Sequence, residues 1–212
     1  YSIAVGWRIN ASPCTGVENL LPYRKANVSH HKSTPYASAP RIYKILLEDG
    51  SGSADLIRLA MLTGLRSSEV RLWEFTWTDF KAKLVRIPSQ AMKARLEFIQ
   101  PLSDPAMAIV RDPRWPAFNE VAFSNPRNEK PFSVNFWKPV FNRLGIRNST
   151  LHGFRSSLRS WAAEKSDAPE DVCEAVLAHV PGKLVQAYRR GSMIEKKRAL
   201  LHSWSRYLEH GY

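Results

Sequence analysis

The sequence is short of acidic residues, of cysteine and of long apolar runs, and each shortage excludes a class of protein. Aspartate and glutamate total 19 against 31 lysines and arginines in 212 residues, a formal charge of +12. That balance favours a polyanionic partner, nucleic acid ahead of an anionic membrane surface. Cys14 and Cys173 are the two cysteines. They are too few for a disulfide framework and stand in no zinc-ligand spacing, which fits a reducing compartment. No apolar stretch approaches the roughly 18 residues of a membrane span. The opening "YSIAVGWRIN" also lacks a basic stretch followed by a long apolar one, so the chain is expected to be cytoplasmic and not membrane-bound. His30 and His31 adjoin, but no HExxH or carboxylate–histidine spacing accompanies them, and no metal site is expected.

What is present is enough apolar and aromatic material, 44% and 11%, for one good core. Residues 10–40 carry four prolines and little periodicity and read as a linker after a short helical remnant. "APRIYKILLED" predicts a helix with Pro40 in its first turn, and "ADLIRLAMLTGLRSSEVRLWEF" predicts two helices broken near Gly64. "KLVRIP" and "LEFIQPL" are β-type runs flanking "SQAMKAR", with "VAFS" as a candidate third strand. Residues 104–131 are proline-rich and read as loop. Beyond them "SVNFWKPVFNRLG", "LHGFRSSLRSWAAEK", "PEDVCEAVLAHV", "KLVQAYRR" and "SMIEKKRALLHSWSRYLEH" all read as helical. The fold class expected is mostly α with a small antiparallel β-sheet at one edge.

Four short stretches hold side chains suited to chemistry. Arg66 sits at a helix break with Glu69 one turn on, a spacing that also serves ordinary structural ion pairs. Lys93 falls in the turn between the two strands. His152 and Arg155 are three apart and share a helical face, as do Arg155 and Arg159, which on its own suits a solvated basic face equally well. His179 precedes Tyr188 by nine residues, with Arg189 and Arg190 directly behind. Each is ordinary alone; their order along the chain is informative.

That order resembles the catalytic domain of the tyrosine recombinases, the phage integrase family. "LTGLRSSEV" is similar to the family's first arginine box, "LHGFR" to its His-x-x-Arg box, and "LAHVPGKLVQAYRRG" to its histidine-to-tyrosine segment. "MKARLEFIQPLS" and "LLHSWSRYLEH" resemble the strand pair and tail of the satellite-prophage and genomic-island type of bacterial integrase. Phe98 departs from that subgroup, which usually has a histidine there. "GWRINASPCTGVE" resembles the exit of a core-binding domain, so the resemblance implies a core-binding remnant and linker over residues 1–36 and a catalytic domain over 37–212.

The resemblance implies site-specific DNA recombination, integrating or excising a prophage or genomic island. Tyr188 is then the nucleophile, forming a 3′-phosphotyrosine; Lys93 protonates the leaving 5′ oxygen, and His152 acts as base or proton-sharing partner. Arg66 and Arg155 are phosphate clamps, each worth ~3 kcal/mol by analogy with oxyanion donors. His179 donates a hydrogen bond to a phosphate oxygen and Glu69 orients the site. With this much positive charge no cofactor or divalent metal is expected. Arg95, Arg159, Arg189 and Arg190 are candidate contacts to the DNA backbone. Expected partners are double-stranded DNA attachment sites, further copies of the chain as a homotetramer, and accessory DNA-bending or directionality proteins, with no membrane. The apolar stripe Met193, Leu200, Leu201, Trp204 and Leu208 suits either internal core or docking on a neighbouring subunit. Two alternatives stand beside recombination: the same chemistry used for resolution or inversion, and a catalytically silent DNA-binding regulator.

Overall fold

Glycine and proline punctuate the chain where helices start and stop. In the computed structural model, which describes residues 34–115, 121–179 and 191–212 together with Gly6 and Ile9, Pro40 lies in the first turn of α1 (Ala39–Asp49). Its missing N–H is no loss there. Gly50 caps α1 in the left-handed region, and the Ser51 hydroxyl accepts from Ala54 N–H to start α2 (Gly52–Thr63). From Ala54 to Thr63 nearly every residue of α2 is buried, so this helix is the centre around which others pack. Gly64, at φ +66°, ends it, and the short α3 (Ser67–Arg71) follows.

The sheet has three antiparallel strands in the order β1 (Thr78–Asp79), β2 (Leu84–Ile87), β3 (Phe98–Pro101). Ile87 pairs with Phe98, so residues 88–97 form the connection that carries Lys93. The two longer strands lie where the alternation predicts them, but the third does not. "VAFS" supplies an isolated bridge, Ser124 to Pro131, while β1 comes from "TD". The reason is packing: Phe123 is wholly buried against Trp73, Phe75 and Trp115, and Ala122 N–H donates to Trp73 O. That stretch is apolar because it fills an aromatic cluster rather than because it joins the sheet.

The proline-rich stretch also contains a helix, α4 (Asp104–Val110), with Pro105 in its first turn. After it come α5 (Trp137–Arg143), α6 (Gly153–Lys165), α7 (Glu170–Val176) and α8 (Gly191–His210). The helices expected over "KLVQAYRR" and near the N-terminus lie outside the described residues. Met193, Leu200, Leu201, Trp204 and Leu208 of α8 are all buried in the chain's own core. Trp204 stacks on Tyr207 at 5.6 Å between centroids and donates Nε1–H to Met61 O at 2.7 Å. The stripe is therefore internal core here, not a free face for a neighbouring subunit.

A Cβ on Gly64 would stand 2.8 Å from Leu158 Cδ2 and 3.2 Å from Leu177 Cδ2, besides straining the positive φ. Gly64→Ala is expected to lower unfolding stability by about 1–3 kcal/mol, read from urea melts, with no change of helical content in the folded state.

Candidate active site

The break after α2 sets up the first arginine. Arg66 is extended, at φ −74° and ψ 156°, as the residue that precedes α3. Glu69, one turn on and 1% exposed, accepts from the Arg66 backbone N–H at 2.7 Å and from Arg66 Nη1 at 2.9 Å. One carboxylate thus holds both the backbone and the guanidinium of the same residue. A buried carboxylate is tolerable only when paired and bonded in this way.

Arg155, 4% exposed, is the most buried cation among the site residues described, so its helix face is not the solvated one that spacing alone allows. It lies in the first turn of α6, behind His152 and Gly153. A Cβ at Gly153 would come within 2.8 Å of Thr34 Oγ1 and 3.0 Å of Thr34 N, so the close approach of that segment needs glycine. Arg155 Nη1 donates to Gly64 O, and Nη2 donates to Leu177 O at 2.7 Å and towards His179 Nε2 at 3.2 Å. Both carbonyls sit at the C-terminal ends of helices, α2 and α7, where partial negative charge gathers. Burial, then the neighbouring Arg66, pushes the Arg155 guanidinium down to about 10 against the pull of Glu69, which leaves it charged at neutral pH. Gly64 is two residues before Arg66 and Leu177 is two before His179, so one side chain fixes the stems of both.

His179 is half-open and held on both ring nitrogens. Nδ1 lies 3.0 Å from Glu174 Oε2 and Nε2 faces Arg155. Arginine only donates, so Nε2 carries the lone pair and Nδ1 the proton. Burial and then Arg155 push the imidazole below its usual range, and Glu174 opposes them. The sequence reading has His179 donating to a phosphate oxygen; in this arrangement Nε2 is an acceptor, and donation requires it to leave Arg155 and gain a proton. Glu174 is itself held by Arg159 Nε at 2.6 Å. Burial raises the Glu174 carboxyl, but the Arg159 and His179 bonds outweigh it and hold it low.

A pocket of about 290 Å³ collects Arg66, Ser67, Ser68, Arg71, His152 and Arg155, walled by Leu65, Val134 and Leu151. His152 is exposed at the start of α6, with its carbonyl accepting from Arg155 N–H. Lys93 is exposed on the connection between β2 and β3 and does not line this pocket. Arg95, on the same connection with φ 54°, donates to Gln90 O at 3.4 Å. Arg159 is not open surface: it pairs with both Glu174 and Glu170 and braces His179 from behind. Tyr188, Arg189 and Arg190 lie outside the described residues.

Three residues that spacing does not single out matter to this geometry. Arg71 lines the pocket and ties α3 to the next wall through Phe132 O at 3.1 Å. Glu174 is five before His179, across a helix end, which is no helical repeat. Gln100, fully buried, donates to Thr63 O at 2.7 Å and Val176 O at 3.0 Å, one residue before each carbonyl that Arg155 holds. Among the described residues no cluster of three or more His, Cys, Asp or Glu is arranged to hold a metal ion, and no helix is long and apolar enough to cross a membrane.

This geometry belongs to a chain with known relatives. Prophage integrase IntZ of Escherichia coli K12 is 26% identical over 200 residues, covering 93% of this chain and 49% of IntZ. The integrase of Shigella phage Sf6 is 25% identical over 217 residues, 99% of this chain and 55% of its own length. The chain spans about half the length of the curated relatives it matches. Among solved structures, the integrase from mycobacterium phage Brujita shares the fold at a TM-score of 0.63, with 14% identity over 85% of this chain and 60% of that one. The Tn1549 transposon integrase in complex with circular intermediate DNA aligns at 0.54, with 14% identity over 86% and 67%. XerA recombinase aligns at 0.54, with 15% identity over 88% and 70%. The described fold, mostly helical with a three-stranded antiparallel edge sheet, is thus that of recombinase catalytic domains. The model of the phage integrase family matches residues 36–194, which take in both arginines, both histidines, Lys93 and Tyr188, and the chain belongs to that family.

Proposed function

We propose that residues 37–212 are the catalytic domain of a tyrosine-type site-specific recombinase that integrates or excises a mobile element. The observation that carries this reading is the pocket that Arg66, His152 and Arg155 line together, each guanidinium fixed in place by bonds within the chain. Two fixed guanidinium groups suit the non-bridging oxygens of a phosphodiester, whose charge grows in the transition state. The Tn1549 transposon integrase was solved with DNA, and the charge of +12 here suits the same class of partner.

The chemistry follows from the side chains. Tyr188 Oη attacks the scissile phosphorus, forming a P–O bond to tyrosine while the bond from phosphorus to the 5′ oxygen breaks. The phenol proton passes to His152, and Lys93 gives its proton to the departing 5′ oxygen. The 3′-phosphotyrosine keeps the bond energy, and a 5′-hydroxyl from another strand reverses the step. His179, braced by Glu174 and Arg159, positions Arg155 before the phosphate arrives and exchanges partners to donate once it is present. Arg71 is a further cation at the pocket wall. Joining two duplexes exchanges four strands, so the assembly this chemistry calls for is a homotetramer on paired sites.

Covalent capture tests the reading. The whole gene product is incubated in a chelator with DNA from its host, and protein-linked DNA is isolated and sequenced. A protease-sensitive adduct that disappears in Tyr188→Phe is the expected result. DNA binding without any adduct would instead favour a silent regulator, and an adduct that requires added divalent metal would overturn the metal-free scheme.

His179 gives a pH test. Its folded value lies below the unfolded one near 6.5, so the folded state binds fewer protons between the two. Its contribution to stability is complete above about pH 6.5 and is lost as pH falls through that window. Urea melts of wild type and His179→Gln should therefore show the wild-type advantage shrinking between about pH 7.5 and about pH 5. A constant difference would mean that His179 does not titrate there.

A further inference from the structure

One buried cation plays no part in the scheme above. Lys197 lies on α8, nine residues after Tyr188, and is 3% exposed. Its ammonium donates to Ile99 O at 2.5 Å and sits over the Phe98 ring, 4.1 Å from the centroid. Both partners are the opening residues of β3, and Phe98 is where the Lys93 connection ends. Burying this amine is costly: desolvation alone pushes it down to about 7. A methionine of similar length would fill the same space without desolvating an amine but would lose the bond to Ile99 O, so the lysine here directs a contact more than it adds net stability.

Geometry supplies one. The connection 88–97 is anchored at its other side by Met92, buried beside Lys93, and by the Ile87–Phe98 pair at its base. Lys197 clamps that base to the helix that follows the nucleophile in the chain. Lys197 thereby joins the connection that carries Lys93 to a helix that begins three residues after Tyr188 in the sequence. Phe98, the departure from the histidine usual in this subgroup, supplies the ring face on which the ammonium rests.

We propose that Lys197, seated on Phe98 and Ile99 O, is a positioning residue that sets the reach of Lys93 to the leaving 5′ oxygen. The proposal rests on the reading of Lys93 as general acid. Loss of the clamp leaves the proton donor present but misplaced, so the defect is confined to leaving-group protonation.

The test compares wild type, Lys93→Ala and Lys197→Met on the DNA site recovered by covalent capture, with either oxygen or sulfur bridging to the 5′ carbon at the scissile phosphate. A thiolate leaves without a proton, so a fault in acid catalysis disappears on the sulfur substrate. Lys197→Met is expected to cleave the oxygen substrate about 10–100-fold more slowly than wild type, yet match it within about twofold on sulfur. Its melting temperature should equal or exceed that of wild type. Equal rates on both substrates, or equal slowing on both, would overturn the proposal. Lys93→Ala that is not rescued by sulfur would overturn the acid assignment itself, and this proposal with it. Should Lys197→Met fail to fold, Phe98→Leu decides: it removes the ring and keeps the carbonyl bond, so oxygen-selective slowing supports the clamp and unchanged rates refute it.

Discussion

The structure hangs on a guanidinium laid across two helix ends. Arg155 holds the last carbonyls of α2 and α7, and Gln100 holds the carbonyl before each. Two parallel cross-links, one from α6 and one from β3, therefore fasten the same pair of helix ends. The residues that leave those ends are Arg66 and His179. Neither has to find its place by its own packing, because the backbone two residues upstream is already held. A lysine at position 155 would offer a single ammonium where two directed bonds and a contact to His179 are made by one planar fork.

Positive charge in this chain is divided between two uses. Arg159, Arg114 and Arg143 each meet carboxylates, and Arg159 acts on the site through Glu174 rather than through solvent. Arg66 is shared: Glu69 takes part of its fork and the rest faces the pocket. The count of 31 lysines and arginines thus overstates the cations open to a polyanion, and which arginines are committed is visible only from their partners. Holding long side chains in one rotamer before binding also removes an entropic cost of about 1.5–2 kcal/mol per residue that a DNA complex would otherwise meet.

The helices around Gly64 and the two longer strands are legible in the sequence, since each rests on local spacing, whereas the grouping of Arg66 with His152 and Arg155 follows only from the family resemblance. What was not legible depends on contacts far apart in the chain. Arg155 reaches Gly64 across 91 positions and Lys197 reaches Ile99 across 98, and no periodicity reports such pairs. β1 leaves no sequence signal because two residues are too few to alternate, and "VAFS" reads as a strand because burial in an aromatic cluster leaves the same apolar trace. The prolines make residues 104–131 read as loop, although Pro105, in the first turn of α4, interrupts nothing. Phe98 stands out in the sequence as a departure from the resembled subgroup, but its place under the Lys197 ammonium is visible only in the fold.

The burial of Arg155 also bears on how such a protein decays. If Lys93 has the proposed role, a copy released from selection for chemistry can exchange it freely, since an exposed turn tolerates most side chains. It cannot exchange Arg155 so easily, because the carbonyls of two helix ends would be left facing each other with no donor between them. Inactive descendants that still fold would therefore keep the buried arginine and lose the exposed lysine first, and the retained half of the site would record ancestry rather than activity.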